Sequence, residues 1–113
     1  MKVDTEQAGG TRFSQDKIRI TIAPFLGFDA VMQVAEYGAK KYEANDWRKG
    51  QSWTTLTNST FRHLLAICCG QRVDPESGLL HAAHAAWNMC TMCHFLLEGR
   101  EDELNDLWRP ADE

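Results

Sequence analysis

Residues 74–88, with the sequence DPESGLLHAAHAAWN, decide the fold that the chain predicts. Asp74 is a suitable helix N-cap, Pro75 suits the first helical position, and the carboxylate of Glu76 favours the positive end of the helix dipole. A helix over about 75–98 places a polar stripe, within about 60° on one side, that consists of Ser77, His81, His84 and Asn88. The neighbouring face of this helix is predicted to be buried in the core, and it consists of Leu80, Ala83, Trp87, Cys90 and Leu97. We expect the polar stripe to face a ligand.

Two further helices are predicted upstream of this segment. Apolar residues at spacings of three and four predict a first helix over about 27–43. A second helix is predicted from a cap at Thr54 to about Cys69, with an inner side made of Leu56, Thr60, His63, Leu64, Ile67 and Cys68. One more helical turn is predicted within residues 101–107. The fold class is therefore all-α, a compact bundle of three main helices.

The N-terminal part of the chain predicts an extended arm. Residues 1–11 are polar and read as a flexible arm, while 17–22, with the sequence KIRITI, alternates and predicts a short extended segment. Such a segment crosses the helices or pairs with a copy in a second subunit, because its backbone needs partners. We expect one helical domain over 12–108 and an acidic tail over 109–113.

Composition excludes several classes of protein. The chain has 113 residues and a net charge of −4, which argues against binding to a nucleic-acid polymer. It has neither an apolar run long enough for a membrane span nor the apolar core of a signal peptide, so we expect a cytoplasmic protein. The four cysteines fit that compartment as thiols, and buried small side chains are favoured over a zinc site made of Cys68, Cys69, Cys90 and Cys93.

Cations and aromatic rings concentrate after the middle of the first predicted helix. Lys40, Lys41 and Tyr42, followed by Trp47, suit a nucleotide, because cations neutralise phosphates and rings stack on a base. The alternative is that these side chains are ordinary solvent-exposed residues of a loop without a ligand. Glu36 shares a helix face with Lys40, which is also typical of a solvated ion pair.

The remaining candidates lie in the second and third predicted helices. Arg62 could bind a phosphate or an acidic side chain, and His63 beside it is either a core histidine or a catalytic one. His81 and His84 could bind a metal as a helical pair, or orient water while Asp74 and Glu76 hold Mg²⁺ through oxygen. A purely structural polar seam is the third interpretation.

Several of these residues together resemble a known family. The matching pieces, in order, are Gly38-Ala39-Lys40-Lys41-Tyr42, Asp46-Trp47-Arg48, Phe61-Arg62-His63-Leu64, Asp74-Pro75-Glu76-Ser77-Gly78, His81, His84 and Asn88. This set resembles the phage-associated dATP/dGTP diphosphohydrolase domain family, which is similar in outline to the all-α, Mg²⁺-dependent and oligomeric pyrophosphohydrolases of MazG type. The resemblance implies hydrolysis of a (deoxy)nucleoside triphosphate to the monophosphate and pyrophosphate. The paired carboxylates of the MazG-type metal cage have no counterpart here, because Glu36 lacks a partner at 39 and the third helix carries histidines.

The residues divide into three roles under this hypothesis. The predicted metal ligands, for Mg²⁺ or alternatively Mn²⁺, are Glu36, Asp74 and Glu76. The predicted substrate-binding residues are Lys40, Lys41, Tyr42, Trp47, Arg62 and Asn88. The residues predicted to position the attacking water are His63, His81 and His84.

Two other classes of function stay open at this stage. A non-catalytic, sponge-type nucleotide-binding protein would use the same cations, rings and histidines. A structural helical oligomer would use the polar stripe as an interface. We also expect a homo-oligomer, because three tryptophans lie at edges that look exposed, namely Trp47, Trp53 and Trp108.

Overall fold

Three helices of similar length dominate the computed structural model, which describes residues 3–4, 10–13 and 15–108. They are α1 (Phe25–Lys41), α2 (Trp53–Cys68) and α3 (His81–Leu97), and a single turn, α4 (Glu101–Leu104), follows. Both α1 and α2 pack on α3. The predicted all-α fold class with three main helices is confirmed, and the predicted turn within 101–107 is α4. No helix in the described ranges is long and apolar enough to cross a bilayer.

The N-terminal region holds a small antiparallel pairing. Strand β1 (Val3–Asp4) pairs with β2 (Arg12–Phe13), with Val3 opposite Phe13. The predicted extended segment over 17–22 is wrong in its second half, because Ile20–Ile22 form a 3₁₀ turn closed by the bond from the Ala23 N–H to the Ile20 carbonyl, 3.0 Å. A lone strand has no ladder partner, so the backbone closes local bonds instead. Most of the predicted arm over 1–11 and the whole predicted tail over 109–113 lie outside the described residues.

The third helix begins at His81, so its predicted start at 75 is wrong. Asp74 does not cap a helix; its carboxylate accepts the backbone N–H groups of Glu76 (3.4 Å) and Ser77 (3.3 Å) and thereby closes a turn. Gly78 has φ +74°, which a right-handed helix cannot contain, and the Asp74 N–H donates to the Leu79 carbonyl at 2.8 Å. We call residues 74–80 the acidic turn.

The second helix begins two residues earlier than predicted, with a different cap. Ser52 is the N-cap, and its hydroxyl accepts the Thr55 N–H at 3.1 Å. Thr54, the predicted cap, donates its N–H to the Asp106 carboxylate at 2.9 Å. The first helix spans Phe25–Lys41 rather than 27–43.

The core lies between α2, α3 and α4. Its buried members are Trp53, Leu56, Phe95 and Leu104, and Trp47 and Met92 pack against them. The predicted edge position of Trp53 is therefore wrong, whereas Trp108 is exposed.

The buried side of α3 is rotated from the predicted one. Its buried residues are His81, Ala83, Ala85, Asn88, Thr91 and Phe95, so the polar stripe itself packs inward. Cys90 and Leu97, predicted as core, are exposed, and Leu97 is 90% exposed. Leu64, Ile67 and Cys68 of α2 are exposed as well, against the prediction.

All four cysteines are free and exposed, so their predicted burial is wrong. The alternative of a four-thiolate zinc site is not supported either, since the described residues contain no group of three or more His, Cys, Asp or Glu side chains placed to hold a metal.

Candidate functional site

A cleft of about 620 Å³ lies between α1, α2, the acidic turn and the start of α3. Nine of the twelve predicted site residues line it, namely Lys41, Tyr42, Arg62, His63, Asp74, Glu76, His81, His84 and Asn88. Residues that are far apart in the chain therefore meet in one place, because α1 and α2 each pack on α3 and the acidic turn closes one end.

The structure does not bring Glu36, Lys40 and Trp47 into this cleft. Glu36 and Lys40 line a second groove on another face of α1, because they lie four residues apart on a side of the helix rotated away from Lys41. Trp47 lines a third, adjoining groove, where its ring meets the His94 ring edge-on at a centroid distance of 4.8 Å. Glu36 also reaches this third groove.

Three imidazoles form one wall of the cleft. His63 Nδ1 lies 2.8 Å from His81 Nδ1, and His81 Nε2 lies 2.7 Å from Gln71 Oε1. The rings of His63 and His84 are stacked, with centroids 4.7 Å apart and planes within 5°. His81 is buried at 5% exposure, while the other two rings are half-buried.

Burial keeps two of these rings neutral. It lowers the pKa of His63, and the neighbouring His84 and His81 lower it further by charge repulsion. Burial also lowers the pKa of His84, although Asp74 opposes the shift. Since the usual histidine pKa is about 6.5, both rings are uncharged at neutral pH and each keeps one unprotonated nitrogen.

Ser77 determines which nitrogen of His84 is protonated. Its hydroxyl donates to Asp74 Oδ2 at 3.0 Å and accepts the Leu79 N–H at 3.1 Å. The 2.7 Å contact between Ser77 Oγ and His84 Nε2 must then carry a proton from His84, because the hydroxyl proton is already used. His84 Nδ1 is consequently the unprotonated nitrogen of the neutral ring.

The acidic turn stabilises the charged form of its own carboxylate. Burial raises the pKa of Asp74, but hydrogen bonds from the Ser77 hydroxyl and from the backbone of Glu76 and Ser77 outweigh it, and the net pKa is lowered. Asp74 is thus an anion at neutral pH, 3.6 Å from His84 Nε2.

An ion pair joins the two sides of the cleft mouth. Lys41 Nζ lies 2.8 Å from Glu76 Oε1, and this hydrogen bond raises the pKa of Lys41 and lowers that of Glu76. The same ammonium lies 5.8 Å from the Tyr37 ring centroid and 5.5 Å from that of Tyr42. Arg62, an exposed residue of α2, also lines the cleft.

Sequence reasoning missed three polar side chains of the cleft, those of Tyr37, Ser59 and Gln71. Tyr37 lies one helical turn before Lys41, so the spacing could have found it. Ser59 accepts the side-chain amide of Asn88 at 3.0 Å, which fixes that buried amide against α2. Gln71 follows the predicted end of the second helix, and the neighbouring residues in the sequence do not indicate that its side chain contacts His81.

The carboxylates of the cleft fit a magnesium ion that arrives with phosphate. Asp74 and Glu76 are the two acidic residues among the cleft residues. Mg²⁺ is commonly held by one or two carboxylates together with substrate phosphates, so this pair suffices only when phosphate oxygens complete the shell.

Comparison with known proteins places this cleft in a family. Residues 7–105, which include every residue of the cleft, match the family described as dATP/dGTP diphosphohydrolase, N-terminal. The chain belongs to this family. The resemblance seen in the sequence is thereby confirmed.

A curated relative of this diphosphohydrolase family extends the comparison. The dATP/dGTP diphosphohydrolase of Salmonella phage PMBT28 is 29% identical over 102 residues, which cover 90% of this chain and 34% of the relative. The chain therefore spans about a third of the length of that relative. No solved structure matches the chain.

Proposed function

We propose that the cleft binds a deoxynucleoside triphosphate with a purine base, dATP or dGTP, and hydrolyses it to the monophosphate and pyrophosphate. One observation carries this proposal: two stacked neutral imidazoles, His63 and His84, lie in the same cleft as Lys41 and Arg62. Neutral imidazoles accept protons and the two cations attract phosphates, and this combination suits hydrolysis of a phosphoanhydride. The family and the name of the phage relative support the choice of substrate.

Lys41 and Arg62 bind the triphosphate in this scheme. The ammonium of Lys41 has three N–H donors, so it can keep its bond to Glu76 and donate to a phosphate oxygen as well. Arg62 offers a bidentate fork to a second phosphate. These local cations are needed because the whole chain carries a net charge of −4.

The base occupies the groove that adjoins the cleft. This third groove, about 490 Å³, contains Trp47 and shares four residues with the cleft, namely Val34, Gly38, Tyr42 and Trp87. Tyr42 is exposed at the boundary, so its ring is free to pack on a base. A side chain at position 38 would extend into the open space between the cleft and the third groove, so Gly38 leaves the connection between them unobstructed.

The histidines handle the proton of the attacking water. His63 or His84 accepts a proton from water as the oxygen bonds to phosphorus, the α–β phosphoanhydride bond breaks, and pyrophosphate leaves with the electron pair. His81 is bonded through both ring nitrogens and holds His63 in place.

Mg²⁺, or Mn²⁺ in its place, is the proposed cofactor. Asp74 and Glu76 would hold it together with phosphate oxygens, and the ion would neutralise charge on the triphosphate when bound. Glu36, the third predicted ligand, lines other grooves, so its role stays a prediction.

The test is anion-exchange chromatography of each deoxynucleotide and ribonucleotide after incubation with the protein and Mg²⁺ or Mn²⁺. We expect monophosphate and pyrophosphate from dATP or dGTP, and a loss of about 10²-fold or more in His63→Gln. Cys68→Ser is the control, because Cys68 is an exposed residue on the same helix as His63 and lines neither the cleft nor the third groove. Intact nucleotides with either metal would contradict the proposal.

A second candidate, a nucleotide-binding protein without catalysis, is favoured by one observation. The described residues contain no group of three metal ligands, and a resident metal centre is a common means of phosphoanhydride hydrolysis. A pure binding protein would return its nucleotide unchanged after heat denaturation, whereas the enzyme would return products.

We also propose that the protein is a homo-oligomer. The first half of α1 leaves large apolar side chains exposed, namely Phe25, Leu26, Phe28 and Met32. Several large apolar side chains exposed on one short stretch of helix are typical of a segment that binds another protein surface.

A further inference from the structure

A row of hydrogen bonds connects the end of α2 to the open cleft. Gln71 Oε1 contacts His81 Nε2 at 2.7 Å, and His81 Nδ1 contacts His63 Nδ1 at 2.8 Å. Within the described residues no hydrogen bond reaches the remaining nitrogen, His63 Nε2.

The backbone places Gln71 at the head of this row. Its N–H donates to the Ala66 carbonyl at 2.9 Å, and the Gly70 N–H donates to the Ile67 carbonyl at 2.9 Å. Gly70 has φ +87°, and the two hydrogen bonds form a Schellman motif that ends α2 and fixes the backbone of Gln71.

Proton counting along the row fixes both tautomers when the rings are neutral. The Gln71 carbonyl oxygen only accepts, so His81 Nε2 carries a proton and His81 Nδ1 does not. The 2.8 Å contact between the two Nδ1 atoms then requires a proton on His63 Nδ1. His63 Nε2 is consequently unprotonated, and among the imidazole nitrogens of the row it is the one whose lone pair accepts no hydrogen bond from a described residue.

Burial makes this assignment rigid. His81 is 5% exposed and its backbone N–H donates to the Arg72 carbonyl at 3.1 Å, so its ring is held in place at the start of α3 and little of it is open to water. The charged and titratable groups that act on His63 are Arg62, Asp74, His81 and His84.

We propose that Gln71 is a positioning residue, which sets the tautomer of His81 and through it presents His63 Nε2 as a proton acceptor. The tautomers are a property of the free protein, whereas their use in hydrolysis rests on the proposed function. The two parts are therefore tested separately.

Nitrogen-15 NMR of the imidazole rings in the ligand-free protein tests the first part, at a pH where the rings are neutral. We expect a proton on Nδ1 of His63 and on Nε2 of His81. The reverse pattern in the wild-type protein would overturn the proposal.

Substitutions at position 71 test the direction of control, and they are suitable because Gln71 is an exposed residue. Gln71→Glu keeps an acceptor and should keep both tautomers. Gln71→Lys replaces the acceptor with a donor, so both rings should invert and His63 should carry its proton on Nε2. Unchanged tautomers in a folded Gln71→Lys variant would overturn the proposal; Gln71→Leu, which should give mixed tautomers in both rings, provides a second measurement if the lysine variant does not fold.

Turnover of dATP or dGTP tests the second part. Gln71→Glu should retain kcat, while Gln71→Lys should lower it by about 10²-fold, since the proton acceptor is lost. Tautomers that respond as expected in a protein without turnover support the row and remove only the hydrolase function. Turnover in the wild-type protein with tautomers that ignore position 71 removes Gln71 from its role and leaves the function standing.

Discussion

The rings of His63 and His84 stack 4.7 Å apart, so a proton on one raises the free energy of a proton on the other. His81, His84 and Asn88 could be grouped from the sequence, because two histidines and an amide at helical spacing indicate a shared face, whereas the contact of His63 on α2 with these histidines could not. Which face is buried could not be predicted, since the apolar alternative on α3 was equally continuous. The choice depends on α2, where Ser59 and His63 supply polar partners for Asn88 and His81.

Stability should fall as the pH is lowered through the histidine range. The pKa values of His63 and His84 are lowered in the folded state, so the unfolded chain binds more protons below about pH 6.5. Proton binding therefore stabilises the unfolded chain relative to the folded one. We expect the urea midpoint to be constant above about pH 7 and to decrease toward pH 5. The lowered pKa values of Asp74 and Glu76 act only below about pH 4.5, outside this window.

The His63→Gln variant is the control for that titration. It should show a shallower decrease in the urea midpoint between pH 7 and 5 than the wild-type protein. An equally steep decrease would show that His63 does not contribute to the pH dependence.

Glu76→Gln should abolish Mg²⁺-dependent turnover and leave the helical circular dichroism unchanged. Its side chain is exposed in the acidic turn and bonds to Lys41, so its loss removes a proposed metal ligand without opening the core. Glu98→Gln, at the far end of α3, is the matched control and should turn over normally. Turnover like that of the wild-type protein in Glu76→Gln would remove this carboxylate from the mechanism.

At the scale of elements, the acidic turn replaces the first two turns of the predicted third helix. The sequence contains good helix-start signals there, but the same Asp74 and Ser77 side chains can bond to nearby backbone, and Gly78 with φ +74° permits the turn that results. Propensity could not distinguish these two outcomes. The turn moves Ser77 back onto His84, so the two side chains meet at 2.7 Å, whereas a continuous helix would have separated these positions by about 10 Å along its axis.

Gly78→Ala and Gly38→Ala should shift stability in opposite directions. Alanine at position 78 must adopt a positive φ, which costs roughly 1–2 kcal/mol, whereas alanine within α1 gains about 1 kcal/mol of helix propensity and meets no atom within 4 Å. Thermal unfolding of both variants measures the difference. A Gly78→Ala protein as stable as the wild type would show that the left-handed backbone at 78 is not required.

At the scale of the whole molecule, the core is small and lies to one side. The three-helix architecture could be predicted from periodicity, since each helix has apolar residues at spacings of three and four. The centre of the core could not be predicted, because it depends on Trp53 at the start of α2 and on Leu104 in the single turn of α4. Arg100 contributes to this arrangement by donating to the carbonyls of Arg48 and Lys49, which ties the loop before α2 to the end of α3.

Phe95→Ala should be among the most destabilising single changes. Phe95 is 0% exposed at the centre of the core, and removal of a buried phenylalanine costs about 3–5 kcal/mol, a large part of the roughly 5–15 kcal/mol that stabilises a domain. Leu97→Ala, two residues away at 90% exposure, should change the free energy of unfolding by less than about 0.5 kcal/mol. Urea denaturation compares them, and equal losses would contradict the position of the core.

Light scattering coupled to size exclusion tests the proposed homo-oligomer. We expect a mass that is a multiple of 12.8 kDa, and a return toward the single-chain mass in Leu26→Glu, because that side chain is exposed on α1. A single-chain mass for the wild-type protein would contradict the proposal.

One helix of the bundle has little of its own to hold it in place. In α1 a single side chain, Val34, is buried. The C-terminal end of α1 is joined to the acidic turn by the ion pair of Lys41 and Glu76. We therefore expect the amide hydrogens of α1 to exchange with deuterium faster than those of α2 and α3, because opening α1 exposes less apolar surface. A nucleotide that contacts both walls of the cleft should slow this exchange selectively. The ligand would then complete the packing that α1 lacks, and the exchange rate of one helix would measure the occupancy of the site.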